Sequence, residues 1–395
     1  MYLIRVMPAK GVLILTAAEV VVAGAGVIGT AIAWRAALAG LDVVVVDPQA
    51  ADGATLVAAG MLAPVSESLF GEDELLRLNL LARRRFPEFA AELEQAVGAH
   101  IGLRREGTLA IAYDPGDYAA LMRLTAFRRS AGLEAEELDS RACRKLEPFL
   151  TPDVHGGVLF CADWSVDNRR YAAALRKAML AAGARAVRDR VAEVRGRDGR
   201  PGAGVRLAGG DVIECGTVVV ATGSWTGAVA GLPEALRSAI RPVKGQLLRL
   251  RHPDGMAPVT TRTIRAIVRG ADIYLVPRAD GEMIVGSTQE ERGDRTVTAG
   301  AVHDMLHDAM SVVPVTSELI LAETCVGLRP GTPDNGPVVG WSGTAGVLMA
   351  TGHYRNGILL SAATADAVVA YLTGQRTDAE WAPFVPARWG EVGER

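Results

Sequence analysis

The segment that most constrains this chain begins at residue 19. A buried strand, Glu19–Ala23, runs directly into Gly24-Ala25-Gly26-Val27-Ile28-Gly29, and a helix is expected over Thr30–Ala39, stopped by Gly40. A second, valine-rich strand, Asp42–Val46, ends at Asp47. In this GxGxxG arrangement Gly24 allows the tight turn and Gly26 lets backbone approach a pyrophosphate. Gly29 lets helix and strand pack closely, and the helix N-terminus at Val27 and Ile28 faces the phosphate charge. Asp47 falls where a carboxylate accepts hydrogen bonds from ribose hydroxyls, which disfavours a 2′-phosphate. Continuous valine runs predict a parallel sheet covered on both faces. The pattern defines a dinucleotide site but does not separate NAD from FAD.

Composition narrows the class. The chain has 395 residues, 49% of them hydrophobic, with a net charge of −3, which excludes both disorder and a basic coat for nucleic acid. The length suits about two domains. Cys143, Cys161, Cys215 and Cys325 are far apart, giving neither a disulfide framework nor metal-ligand spacing. Arg5 and Lys10 precede an apolar run, Gly11–Ala18, in a signal-like order, but Glu19 interrupts it. Residues 1–17 are therefore expected to form an extension or extra strand. No spanning helix and no membrane partner are expected, and the expected location is cytoplasmic.

Further along, helices are expected over Glu72–Arg85 and Glu88–Val97, separated by Pro87, then over Asp117–Ala131 and Arg169–Ala182. Strands are expected at Thr108–Tyr113, Gly156–Cys161, Arg185–Val194 and Thr217–Ala221, the last followed by a second glycine turn at Thr222-Gly223. From Val243 to Gly286 the alternation has period two, with an Asp280-Gly281 hairpin signal, predicting an antiparallel sheet. The end, Gly346–Ala350 then Ile358–Leu372, repeats the strand, glycine turn, helix order of the beginning. The fold class is therefore α/β: a Rossmann-like cofactor domain from discontinuous segments (18–85, 160–240, 325–385) plus an antiparallel β-rich substrate domain (86–159, 241–324).

Several short motifs carry a resemblance. They are Ala58-Ala59-Gly60-Met61-Leu62-Ala63-Pro64, Tyr274-Leu275-Val276-Pro277-Arg278, Gly327-Leu328-Arg329-Pro330-Gly331-Thr332-Pro333-Asp334 and Gly352-His353-Tyr354-Arg355-Asn356-Gly357-Ile358. Together, over about residues 18–375, they resemble the D-amino acid oxidase family of FAD-dependent amine oxidoreductases, and most closely its glycine oxidase branch. The resemblance implies non-covalent FAD, touched by the first glycine loop, Asp47, Ala59, Gly60, Met61, Val191, Thr222, Gly223, Trp225 and the 352–358 block. It implies that Arg329 pairs with the substrate carboxylate, that Tyr274 adds a hydroxyl donor, and that Arg355 and Asn356 flank the flavin. A planar guanidinium suits this role because it meets two carboxylate oxygens at once.

The implied reaction is hydride transfer from the Cα of glycine or another small amino acid or amine to the flavin, with O2 reduced to H2O2. The imine product is implied to supply thiamin thiazole synthesis. A homo-oligomer is expected. Two other readings stand beside this one: a dehydrogenase passing electrons to a quinone or carrier, and a flavin-binding scaffold without turnover. Asn168 is expected to bear on a turn and not on chemistry. Gln289 stands where an apolar residue often lines the glycine oxidase pocket. In the sarcosine oxidase branch a flavin-bonding Cys would align with Gly327, and Cys325 is expected on the opposite side. His303 and His307 lack a third ligand and are expected on a solvated helix face; His353 is expected to orient its loop.

Overall fold

The computed structural model describes residues 14–48, 53–196 and 202–389. Of the expected N-terminal extension, residues 1–13 lie outside the described residues, and Ile14 and Leu15 continue the first strand alongside Val212 and Ile213. That strand, Ile14–Ala23, lies at the centre of an eight-stranded sheet. Along its main path the order is Val338–Trp341, Val347–Thr351, Val212–Val220, Ile14–Ala23, Val43–Val46 and Arg185–Val187. All neighbouring pairs on this path are parallel except the first.

The valine runs bury both faces, as a doubly covered sheet requires. Val20, Val22, Val43 and Val45 join the core under helices Val27–Leu38, Asp73–Val97 and Gly357–Leu372. Val21, Val44 and Val46 face the other way, into a core with Val205, Val218 and Leu236. The period-two region builds a second eight-stranded sheet, ordered Ile320–Gly331, Arg241–Arg251, Glu282–Gly286, Ala271–Pro277, Thr263–Val268, Thr108–Ala112, Gly156–Phe160 and Glu136–Asp139. It is antiparallel apart from Thr263–Val268 with Thr108–Ala112, which run parallel. Helix Ala299–Val312 covers its outer face.

Three local expectations change. Pro87 does not divide two helices: Asp73–Val97 is one helix with the proline inside. The missing hydrogen bond and ring clash cost about 3 kcal/mol, but Phe86, Phe89 and Leu93 on the same stretch are buried, each stabilising by about 1.5–3 kcal/mol. Packing wins. The expected strand Arg185–Val194 is two, Arg185–Val187 and Val191–Gly196. They are parted by a turn in which the Asp189 carboxylate accepts from the Arg190 and Gly209 amides. Sheet membership also shifts the expected domain division. Helix Asp73–Val97 runs through the 85/86 boundary, and residues 325–331, expected with the cofactor domain, end a strand of the second sheet. Among the described residues no helix is long and apolar enough to cross a membrane.

Candidate active site

A cavity of about 640 Å3 runs from the first glycine loop to the inner face of the second sheet. At one end, Gly24, Gly26, Val27 and Ile28 line it with Asp47. Gly24 has φ +104°, and a Cβ on Gly29 would sit 1.9 Å from the Gly24 carbonyl oxygen, so strand and helix meet where only glycine fits. Gly26, by contrast, faces only the Thr55 hydroxyl at 3.5 Å from a notional Cβ, which leaves its backbone open to the cavity. One Asp47 oxygen accepts from the Ala25 amide at 2.7 Å, tying the second strand to the loop. Thr55 accepts from the Val27 amide at 3.0 Å. This cradle fits a dinucleotide pyrophosphate at a helix N-terminus.

Along the middle, Ala59, Gly60, Met61, Val191, Thr222, Gly223 and Trp225 line the cavity, as do Tyr354, Arg355, Gly357 and Ile358. Gly29, Gly352 and Asn356 do not. They act behind the wall: Asn356 is buried and precedes helix Gly357–Leu372, whose positive end is turned to the cavity. Arg355 also borders the cavity: its guanidinium lies over the Tyr354 ring, 5.3 Å from the centroid, and pairs with Glu72 at 3.4 Å.

His353 lies fully within the fold, its Nε2 2.9 Å from the Thr364 hydroxyl. Burial pushes its pKa down to about 3, so the ring is neutral and fastens the loop to the last helix. In the unfolded chain it protonates near pH 6.5, and the folded state therefore loses stability as pH falls from about 6.5 towards 3. His353→Gln is expected to flatten that acid limb relative to the parent, measured by urea denaturation across that range. Parallel curves would show that the ring contributes nothing to the acid loss.

Asn168 is more than a turn residue. It is completely buried, donates to the Thr55 carbonyl at 2.8 Å, and accepts from Arg249 at 3.2 Å and Arg278 at 3.3 Å. Arg278 also donates to the Ala59 carbonyl at 2.6 Å. The stretch 55–60 beside the cavity is therefore held by a buried polar cluster from helix Asn168–Ala181 and the second sheet. Cys325 is corrected too. It shares one face of strand Ile320–Gly331 with Gly327, two residues on, and does not lie opposite it. Gly327 lines the cavity and Cys325 does not. Burial pushes the Cys325 thiol up to about 11, and it contacts Glu323 at 3.0 Å.

At the far end, strands of the second sheet present Arg329 and Tyr274 to the cavity. Arg329 donates to the Ser287 hydroxyl at 2.7 Å, the Thr288 carbonyl at 3.1 Å and the Lys244 carbonyl at 3.5 Å. These partners are neutral oxygens, and among the described residues no carboxylate pairs with it. Tyr274 stands directly across from Gly286. Burial pushes its phenol above the ordinary value, against the opposing pull of Arg329 and Ser287, so it stays a protonated donor. Both side chains lie over glycine: a Cβ on Gly245 would come 2.2 Å from an Arg329 nitrogen, and one on Gly286 would come 2.6 Å from the Tyr274 oxygen. Glycine inside a strand signals such a close approach, and that signal in the 243–286 alternation points to Gly245, Gly286 and their neighbours Ser287 and Thr288. Gln289 also lines the cavity. His303 and His307 stack on the exposed face of helix Ala299–Val312, and among the described residues no group of three or more His, Cys, Asp or Glu could hold a metal.

A dinucleotide cradle at one end of a cavity and an arginine-bearing sheet floor at the other suit a dinucleotide-dependent oxidoreductase. The chain belongs to the FAD dependent oxidoreductase family (DAO), whose pattern matches residues 19–371. It is 32% identical to a glycine oxidase of Geobacillus kaustophilus, covering 95% of this chain and 98% of that protein. It is also 32% identical to the bifunctional protein ThiO/ThiG of Trichormus variabilis, over 91% of this chain but only 53% of that protein. The chain thus spans about half the length of such bifunctional relatives. The crystal structure of the Geobacillus kaustophilus glycine oxidase superposes with a TM-score of 0.85, at 30% identity, covering 95% of this chain and 99% of that one.

Proposed function

We propose that this chain oxidises the Cα–N bond of glycine or another small amino acid or amine, using non-covalent FAD and O2, and that the resulting imine supplies thiamin thiazole synthesis. The observation that carries the reading is Arg329, a guanidinium at the cavity floor held only by neutral oxygens. The glycine oxidase relatives support the choice of amine.

The glycine loop at 24–29, with Asp47 and Thr55, would hold FAD, which would supply hydride acceptance and electron transfer to O2. The protein's part is to bind and orient. Arg329 offers its two terminal nitrogens to a substrate carboxylate, and the Tyr274 phenol donates to the same group. That anchoring turns the Cα towards the wall formed by residues 59–61, 353–355, 357 and 358, so the reacting atoms meet in one geometry. Glu67 lines the cavity, but Arg265 holds its carboxylate at 2.6 Å, which leaves it poorly placed as a base. Asp272 also lines the cavity; hydride departure needs the substrate as the free amine and requires no protein base at the Cα.

The test is an anaerobic titration of the holoenzyme with glycine, sarcosine and D-alanine in turn, followed by air. Bleaching of the flavin by at least one of them, and recovery in air, is the expected result. No bleaching overturns the amine reading; bleaching that persists in air overturns O2 as the acceptor.

A further inference from the structure

The chain leaving strand Glu282–Gly286 forms a strap, residues 287–298, before helix Ala299–Val312. Its inner side meets the cavity through Ser287, Gln289 and Arg295. Its first residues continue the ladder against strand Arg241–Arg251. The Gln246 amide donates to the Thr288 hydroxyl at 3.0 Å, and Lys244 and Glu290 exchange backbone hydrogen bonds at 2.8 and 3.0 Å.

Alternation turns Lys244 and Gln246 to the face of the sheet away from the cavity. Both are completely buried there. The Lys244 ammonium lies 2.7 Å from Asp294 and 3.8 Å from Glu290. Gln246 donates to Glu290 at 2.7 Å and accepts from the Thr298 amide at 2.8 Å. Thr298 in turn caps helix Ala299–Val312, which is packed on the sheet. A buried ammonium is tolerated only when it is paired and hydrogen-bonded. Here its partners are both carboxylates of the strap, so the pairing ties the strap down as well as satisfying the charge. The same strap supplies two of the three oxygens that seat Arg329.

We propose that Lys244 is a positioning residue for substrate binding: clamped on Asp294 and Glu290, it holds the strap so that Ser287 and Thr288 aim the Arg329 guanidinium at the substrate carboxylate. The proposal rests on the reading of Arg329 as the carboxylate anchor. Without the clamp the strap loosens from the outer face, its cavity side loses register, and Arg329 follows its acceptors.

The experiment uses the FAD-loaded protein and acetate as a minimal carboxylate, with binding read from the perturbation of flavin absorbance. Lys244→Met and Asp294→Ala are each expected to raise the acetate Kd and the glycine KM about tenfold, as coupled neighbours do, while kcat stays within about twofold. The double variant is expected to be no weaker than either single one. The Asp294 side chain is one-third exposed, so its removal tests the clamp even where loss of the buried lysine prevents folding. Parental acetate affinity in both variants, with Arg329→Ala having lost it, overturns the proposal and leaves the anchor standing. A fall in kcat at unchanged KM also overturns it. Parental affinity in Arg329→Ala removes the anchor reading, and this proposal with it.

Discussion

Arg329→Ala is expected to raise the KM for glycine by roughly thirty- to several-thousand-fold, equivalent to about 2–5 kcal/mol, the usual loss when one partner of a desolvated charge pair is removed. The effect falls on binding because a substrate carboxylate brought to this floor would lose the guanidinium beside the Tyr274 hydroxyl and the Ser287 and Thr288 oxygens. Steady-state kinetics across glycine concentrations read it directly. Parental KM and turnover would sink the assignment of Arg329.

A companion variant separates position from charge. Gly245→Ala keeps the guanidinium but puts a methyl group 2.2 Å from its nitrogen. The arginine end is flexible, so it swings away and leaves the Ser287 and Thr288 oxygens. The expected result is the same direction of change as Arg329→Ala, at smaller size, with little loss of thermal stability.

Gly29→Ala is expected to abolish stoichiometric FAD binding. The added methyl would stand 1.9 Å from the Gly24 oxygen and 3.3 Å from a Val22 methyl. Since the first obstacle is backbone of the glycine loop itself, relief requires the helix to move off the strand, and the pyrophosphate cradle moves with it. Overpacking of this kind costs about 1–3 kcal/mol or more in stability, and the distortion lies where the cofactor would bind. Gly40→Ala is the control. Its φ of +87° is strained for alanine, but nothing lies within 4 Å, so a loss of about 1 kcal/mol is expected with FAD content unchanged. The flavin-to-protein ratio after gel filtration, with a melting curve for each variant, distinguishes the two. A full complement of FAD in Gly29→Ala would show that the third glycine is a packing convenience and not part of the cradle.

Much of the cofactor end was legible from local sequence. The strand, glycine loop and helix around Gly24–Gly29 depend on neighbours a few residues away, and so does the valine strand ending at Asp47. Pro87 shows where local rules mislead: a helix breaker sits inside a 25-residue helix because Phe86 and Phe89 bury against distant elements. The resemblance drew attention to Arg329 and Tyr274. It did not draw attention to Gly245, Gly286, Ser287 or Thr288, since no short motif joins them. Asn168 was read as a turn residue, whereas its three partners come from positions 81 to 113 residues away.

The sequence by itself therefore determined the course of the chain around a dinucleotide, because strand and turn signals act over a handful of residues; the family and the flavin came from the resemblance of its short motifs. Only the tertiary structure decided how the substrate end is built. Arg329 is seated by oxygens 41, 42 and 85 positions earlier in the chain, and the strap beside it is fastened by Lys244, 50 residues from Asp294. Such distances close only when strands from separated segments pair side by side, so the geometry that orients a carboxylate belongs to the sheet and to no single stretch of sequence.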